Sequence, residues 1–249
     1  MNIVVIGAHP DDPESCCGGL AIKAAGAGHR VVFLFLSSGF VDKKYNDTPV
    51  VEVREAQSRT ACDLIGAEPH FFRLPDGEIP FNRELVDRVS DFVGEMKADF
   101  VLTHWSVDCH PDHQVTSCLA TQAAFSNPDI ALAYYEAAVG MQTLVFEPNR
   151  FVDITEEAKR KKEALFCHVL PGLDSWYHYQ DTMERFRGAQ MRVDRAEGYI
   201  LVSDNGRTGT LLETPRVKSA YGDGINPENY MPSTEQKNVH HRSTGANSK

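Results

Sequence analysis

Apolar runs and amphipathic stretches alternate along the first half of the chain. Residues 2–7 (NIVVIG) are a continuous β-branched run closed by glycine. That pattern predicts a strand buried on both faces, as in a parallel sheet. Residues 30–36 (RVVFLFL), 69–74 and 99–104 (DFVLTH) repeat it. Helical stretches separate these runs. Gly18–Gly28 carries Leu20, Ile22, Ala24 and Ala25, and residues 51–65 place Val53, Ala56, Thr60, Ala61, Leu64 and Ile65 at i, i+3, i+4 spacings. Gly66 is a natural stop for the second of these. Arg83–Lys97 and a stretch from about Gln114 to Phe125 supply two more helices. Strand and helix in strict alternation predict an open, doubly wound α/β sheet, mostly parallel, with helices on both faces.

Beyond residue 128 the pattern loosens. Residues 131–136 and 142–146 read as strands, and Phe151–Ile154 is short and apolar. Thr155 is placed to cap a charged helix, EEAKRKKEALFCH, which begins acidic and turns basic as the helix dipole favours. A further helix is expected over 175–191 and a last strand over 197–203. From Asn205 the chain is rich in Gly, Pro, Asn and Ser, which predicts an irregular tail over 205–249. The expected organisation is therefore a core over 1–128, an extension over 129–204, and that tail.

Composition narrows the function classes. At 249 residues, 42% hydrophobic and 24% charged, the chain suits one globular domain and not a disordered one. A net charge of −10 argues against nucleic-acid binding, which needs basic patches. No apolar run approaches the ~20 residues of a membrane span. The N-terminus lacks the basic n-region of a signal peptide, so a cytoplasmic location is expected. Six scattered cysteines without a CxxC read as free thiols.

Two loops carry unusual cargo. His9-Pro10-Asp11-Asp12-Pro13-Glu14 follows the first strand, and Asp108-Cys109-His110-Pro111-Asp112-His113 follows the fourth. In a parallel sheet, ligands bind beyond the carboxyl ends of strands. Imidazole and carboxylate suit Zn²⁺ and similar divalent ions, and a catalytic zinc wants about three protein ligands with one open position. Pro10 and Pro111 stiffen each His-Pro-Asp step. Turn and cap chemistry is the plain alternative for either loop alone, and the pairing at two strand ends argues against it. A dinucleotide site is also disfavoured: the chain reads G-A-H-P-D-D where G-x-G-x-x-G is needed, and Asp11 and Asp12 would repel a pyrophosphate.

At these residues the chain resembles the PIG-L/LmbE-like family of metal-dependent N-deacetylases. The motifs are A-H-P-D-D-x-E over Ala8 to Glu14, with Gly18-Gly19 after it, and H-P-D-H over His110 to His113. Weaker matches are Arg54-Glu55-Ala56, Leu74-Pro75-Asp76-Gly77, Phe151-Val152-Asp153-Ile154 with the Lys-rich helix ending in His168, and Glu197-Gly198-Tyr199. The resemblance runs from about residue 2 to 203. It implies a Rossmann-like fold, a bound Zn²⁺, and removal of an acyl group from an amino sugar. Carried over, His9, Asp12 and His113 are the expected metal ligands and Asp11 the general base. His110 is the expected stabiliser of the oxyanion, with Asp112 orienting and charging it. The His₂Asp set accepts Fe²⁺ as well as Zn²⁺, and the family analogy points to a homo-oligomer.

Other residues keep two readings. Arg54 holds substrate hydroxyls or an anionic group, or else pairs with Glu52 or Glu55. Asp76 touches substrate or serves its PDG turn. Glu14 caps the following helix or binds sugar. His104 lines the pocket or is structural, and Trp105 and Trp176 stack on a sugar ring or pack in the core. Cys16, Cys17 and Cys109 are extra metal ligands or, the favoured reading, packed bystanders. The expected substrate is an N-acetylglucosamine-type amino sugar or its conjugate. The competing expectations are an amidase for a different acyl group, and a binding protein that keeps the metal loops without turnover.

Overall fold

The computed structural model describes residues 1–38, 44–45, 48–137, 142, 145–169, 172–204, 206, 208 and 211–214. In chain order the elements are β1 (Asn2–Gly7), α1 (Asp12–Gly26), β2 (Arg30–Ser37), a short pair β3 (Lys44–Tyr45) and β4 (Thr48–Pro49), α2 (Val50–Ile65) and β5 (Glu68–Leu74). There follow α3 (Arg83–Glu95), β6 (Phe100–His104), α4 (Pro111–Phe125), β7 (Ala131–Tyr135), β8 (Arg150–Asp153), α5 (Ala158–Leu165), α6 (Leu173–Met191) and β9 (Ala196–Ser203). Most of the tail expected over 205–249 lies outside the described residues.

Alternation along β1 sets the layers. Ile3 and Val5 enter the core shared with Leu20 of α1, Ala61 and Ile65 of α2, and Ala164 of α5. Val4 and Ile6 enter the opposite core with Leu85, Val89 and Phe92 of α3 and Leu119 of α4. All four β1 side chains are fully buried, as a strand covered on both faces requires. The seven-stranded sheet has the order β5-β2-β1-β6-β7-β9-β8. The five strands from β5 to β7 run parallel, and β9 is antiparallel to both β7 and β8. The chain winds outward from β1 through β2 to β5, then returns to β6 on the other side of β1. The sheet therefore changes winding direction between β1 and β6, where parallel α/β folds open a crevice.

Three local expectations need correction. α1 begins at Asp12, not at Gly18: Pro13 sits at its start, where a missing N–H costs nothing, and Cys17 breaks the helical path at φ −141, ψ 20. The helix read from Gly18 onward is the second part of this element. Gly19 lets it approach β8 closely, since a Cβ there would lie 2.5 Å from Ile154 Cγ2. The strand expected over 142–146 is absent among its described residues: Val145 and Phe146 donate main-chain bonds to Gln142 O and form a turn. The Gln142 side chain binds Ala137 N and Val107 O, so it anchors a loop and does not alternate as in a strand. Thr155 does not cap α5. Glu157 holds that position, the helix stops at Leu165, and Thr155 Oγ1 accepts from Arg195 N.

Candidate active site

β1 and β6 are neighbours, so the two His-Pro-Asp loops leave the same edge of the sheet side by side. Each loop runs straight into a helix. His9 N donates to Asp12 Oδ2 at 2.7 Å, which folds the first loop back on itself. His110 caps α4, its Nδ1 accepting from Asp112 N at 3.2 Å. A pocket of about 460 Å³ opens over the two loops. Its lining includes His9, Asp11, Asp12, His110 and His113, joined by Arg54 from α2, Asp76 from the turn after β5, and Trp176 from α6.

The donor atoms converge. His9 Nδ1 is 3.5 Å from Asp12 Oδ2, and His113 Nε2 is 3.4 Å from Asp12 Oδ1. Ligands about 2.0–2.1 Å from a tetrahedral zinc stand roughly 3.3–3.4 Å apart, so each imidazole lies at a ligand-pair separation from Asp12, His9 from one carboxylate oxygen and His113 from the other. The far nitrogen of each imidazole is also committed. His9 Nε2 lies 3.1 Å from Asp112 Oδ2 and 3.4 Å from Asp76 Oδ1, while His113 Nδ1 lies 3.0 Å from Asp108 Oδ2. A carboxylate behind a metal-binding imidazole fixes its tautomer and raises its basicity. Three combinations bring one ligand atom from each residue together: His9, His110 and His113; Asp12, His104 and His113; and His9, Asp76 and Asp112. The expected set of His9, Asp12 and His113 is not among them, although each of its members belongs to one. No cysteine joins such a group among the described residues.

Charge explains the pKa shifts. Burial alone would lower His9, but the carboxylates of Asp112, Asp12 and Asp76 carry it up to about 12. His113 behaves likewise, Asp12 and Asp108 raising it to about 10 against burial. Burial would raise Asp12, yet His113 and His104 hold it well below the ordinary carboxylate range. The raised imidazoles of His9 and His113 and the lowered carboxylate of Asp12 each favour the charged form of the other. Asp11 differs: burial lifts it to about 6, although Arg54 pulls the other way. Burial, with the charge on His9 and His113, lowers His110.

Asp112 corrects one expectation. Its carboxylate does not pair with the His110 ring. It accepts from Gly77 N at 2.6 Å and Ile79 N at 3.3 Å and faces His9. The 75–79 turn supplies main-chain donors that captured the carboxylate. His110 is instead a neutral donor: with Nδ1 accepting a main-chain N–H, its proton sits on Nε2.

Arg54 is not a surface ion pair with Glu52 or Glu55. Its Nη2 donates to Pro10 O and lies 3.3 Å from Asp11 Oδ1, and Nη1 is 3.9 Å from Asp76 Oδ2. It ties the two loops flanking His9 together. Asp108 was part of the second motif, but its role behind His113 was not read from the sequence. Gln142 Nε2 also binds Asp108 Oδ2, at 2.8 Å. Nothing in a spacing rule marks a glutamine 34 residues downstream. His104 is fully buried, stacks on His113 at 4.1 Å and meets Ala8 N through Nε2 at 3.1 Å. Trp105 packs edge-on against Phe146 away from the lining, whereas Trp176 reaches the pocket.

Comparison with known proteins bears on the family and the fold. Residues 4–124 match the PIG-L family, described as GlcNAc-PI de-N-acetylase. The chain is 23% identical over 211 residues to the 4-oxalmesaconate hydratase of Pseudomonas putida KT2440, covering 77% of this chain and 81% of that one. The N,N'-diacetylchitobiose deacetylase of Pyrococcus horikoshii shares the fold with a TM-score of 0.70 at 22% identity, over 81% of this chain and 83% of the other. The 4-carboxy-2-hydroxymuconate hydratase GalB of P. putida KT2440 does so with a TM-score of 0.71 at 21% identity, over 82% and 97%. No helix among the described residues is long and apolar enough to cross a membrane. The family is metal-dependent, its members are deacetylases and related hydratases, and the His and Asp groups gathered here are of the kind that hold a metal. By its sequence match the chain carries a PIG-L family domain over residues 4–124, set in an α/β fold shared with proteins of that type.

Proposed function

We propose that the protein is a metal-dependent hydrolase that removes the N-acetyl group from an N-acetylglucosamine-type amino sugar or its conjugate. The observation that carries this reading is the charge of the pocket wall. Asp11, Asp12, Asp76 and Asp108 line it, against one guanidinium, Arg54, which is already bound to Asp11, Asp76 and Pro10 O. Among the described lining residues no further Lys or Arg is present to receive a polycarboxylate. A neutral, hydroxyl-rich ligand suits carboxylate acceptors, and Trp176 offers a flat apolar face of the kind sugar rings pack on.

His9 Nδ1, Asp12 and His113 Nε2 would hold the ion. Bound there, Zn²⁺ or Fe²⁺ would supply Lewis acidity, polarising the acetyl carbonyl and easing ionisation of a water. Asp11, uncommitted to the three-ligand set, takes the proton of the attacking water and passes it to the departing nitrogen. A carboxyl lifted toward neutrality is suited to both steps. The Nε2–H of His110 donates to the carbonyl oxygen as it gains negative charge. Arg54 keeps the Asp11 carboxylate beside the pocket. The net change is one water consumed, with acetate and a free amine formed.

A second reading has a specific basis in the 23% identity to a hydratase over 77% of the chain. Adding water across a conjugated carbon–carbon double bond would use the same acid and base. The discriminating experiment incubates metal-loaded protein with N-acetylglucosamine, N,N'-diacetylchitobiose and 4-oxalmesaconate. Acetate and amine released from the sugars, lost on chelation and restored by metal, is the expected result. Loss of ultraviolet absorbance from 4-oxalmesaconate with no acetate release would replace the deacetylase reading with the hydratase one.

A further inference from the structure

Glu14 stands in the first turn of α1, where a carboxylate ordinarily faces water near the positive end of the helix. Here it is fully buried. Its two oxygens are divided between two partners. Oε2 accepts the main-chain N–H of Asp11 at 3.2 Å, and Oε1 lies 3.2 Å from Nε2 of His168. His168 is equally buried and comes from 154 residues further along, just past the end of α5.

The held group belongs to a residue in an unusual conformation. Asp11 has φ 117 and ψ −27, a region that a non-glycine residue occupies only when its surroundings impose it. Its carboxylate direction follows from that backbone. Rotation of φ to negative values would carry the carboxylate off Arg54 and away from the pocket. A buried carboxylate left without its partner would turn toward water or draw water in, and the Asp11 N–H would lose its acceptor. The next helix, α6, also holds α1, through Gln180 Nε2 donating to Ser15 O at 2.8 Å.

We propose that Glu14 and His168 are a positioning pair that fixes the backbone of Asp11 and so aims its carboxylate, a proposal that rests on Asp11 being the proton acceptor. Neither residue lines the pocket. The extension after β8 is then part of the catalytic geometry as well as of the sheet.

Four variants test the pair: Glu14→Ala, Glu14→Gln, His168→Ala and His168→Gln. The readouts are acetate release from N,N'-diacetylchitobiose, bound metal, melting temperature and exchange of the Asp11 amide proton followed by NMR. The alanine variants are expected to lower kcat about 100-fold, the scale of a small misplacement of a reacting group, with KM and metal stoichiometry unchanged. Glu14→Gln keeps an oxygen for the Asp11 N–H, and His168→Gln keeps a donor for Glu14, so both should recover much of the loss. In the unsubstituted protein the Asp11 amide should exchange slowly, and in His168→Ala faster. Alanine variants that melt earlier yet keep the parental kcat would overturn the proposal. So would an Asp11 amide that exchanges at the rate of free peptide in the unsubstituted protein. Absence of acetate release from the unsubstituted protein would fail the deacetylase reading alone, and the exchange comparison would still decide the pair.

Discussion

The protein buries charge in two places, and they are built differently. Between α5, α6 and β9, Lys161 Nζ sits 2.8 Å from Glu184 Oε1 and 2.7 Å from Glu197 Oε1. Glu184 also meets Arg195, at 3.0 Å, and Glu197 accepts from Gly19 N, Leu20 N and the Tyr199 hydroxyl. The cavity beside this network is about 20 Å³, room for one water. At the switch point between β1 and β6, by contrast, Asp11, Asp12, Asp76, Asp108 and Asp112 gather around one guanidinium and several imidazoles, under a pocket of about 460 Å³. In the first cluster each carboxylate meets a permanent cation, and the cavity beside it is far too small for a substrate. In the second the balance rests on histidine protons, which a metal ion can replace. Buried charge by itself therefore does not mark a functional site. Incomplete balance by permanent cations, facing a cavity, does.

The largest expected effect separates the two clusters by chemistry. Asp11→Asn should lower acetate release by about 10²–10⁴-fold, the usual weight of a general base. Asparagine tolerates positive φ as aspartate does, so the backbone should persist and the protein should keep its metal. Steady-state kinetics beside metal analysis checks both halves. Full activity in Asp11→Asn would end the assignment of the base and, with it, the contrast drawn above.

Lys161→Met is the matching change in the balanced cluster. It removes one cation and leaves Glu184 and Glu197 facing each other. Breaking a buried pair in this way costs about 3–5 kcal/mol, softened here by Arg195 and by the main-chain donors to Glu197. Urea unfolding should report a loss near the lower end of that range. The folded, metal-loaded fraction should turn over at the parental rate. A specific fall in kcat at unchanged stability would mean that the second cluster also serves chemistry.

The sequence made the fold legible because parallel strands covered on both faces have few ways to be written. RVVFLFL at β2 is such a run, and its side chains are buried from Val31 onward. The extension was harder to read. The pattern predicts a strand over 142–146, yet Gln142 holds a turn through bonds to residues 107 and 137 that no periodicity encodes. The same division runs through the site. His9, Asp12, His110 and His113 announce themselves because proline and carboxylate crowd them within two short motifs. The motif places Asp112 in the site but does not show its partners, the N–H groups of Gly77 and Ile79 in a turn 33–35 residues earlier. His168 reached Glu14 from 154 residues away, beyond anything a spacing can show. Motifs reveal the residues that face a ligand, whereas the partners that orient them come from distant strands and turns.

Asp108→Asn gives the smallest of these effects and sharpens the comparison most. Asp108 accepts from His110 N at 2.8 Å and Gln142 Nε2 at 2.8 Å, and its Oδ2 lies 3.0 Å from His113 Nδ1. All three groups arrive as donors when His113 binds a metal through Nε2. Two carboxylate oxygens can serve three donors, whereas an asparagine presents one oxygen and sets an NH₂ against another donor. The negative charge that raises the basicity of His113 is also lost. Changing such a supporting partner typically weakens metal binding by about 10–100-fold, while the His₂Asp set itself is untouched. Competition with a chelator of known affinity should therefore show weaker zinc binding, and saturating metal should restore most of the turnover. Unchanged affinity would mean that the His113 contact merely stabilises the loop, which would make Asp108 resemble the balanced carboxylates around Lys161. A loss of turnover that excess metal does not restore would instead move Asp108, which reaches the pocket wall, from supporting the ion to contacting the substrate.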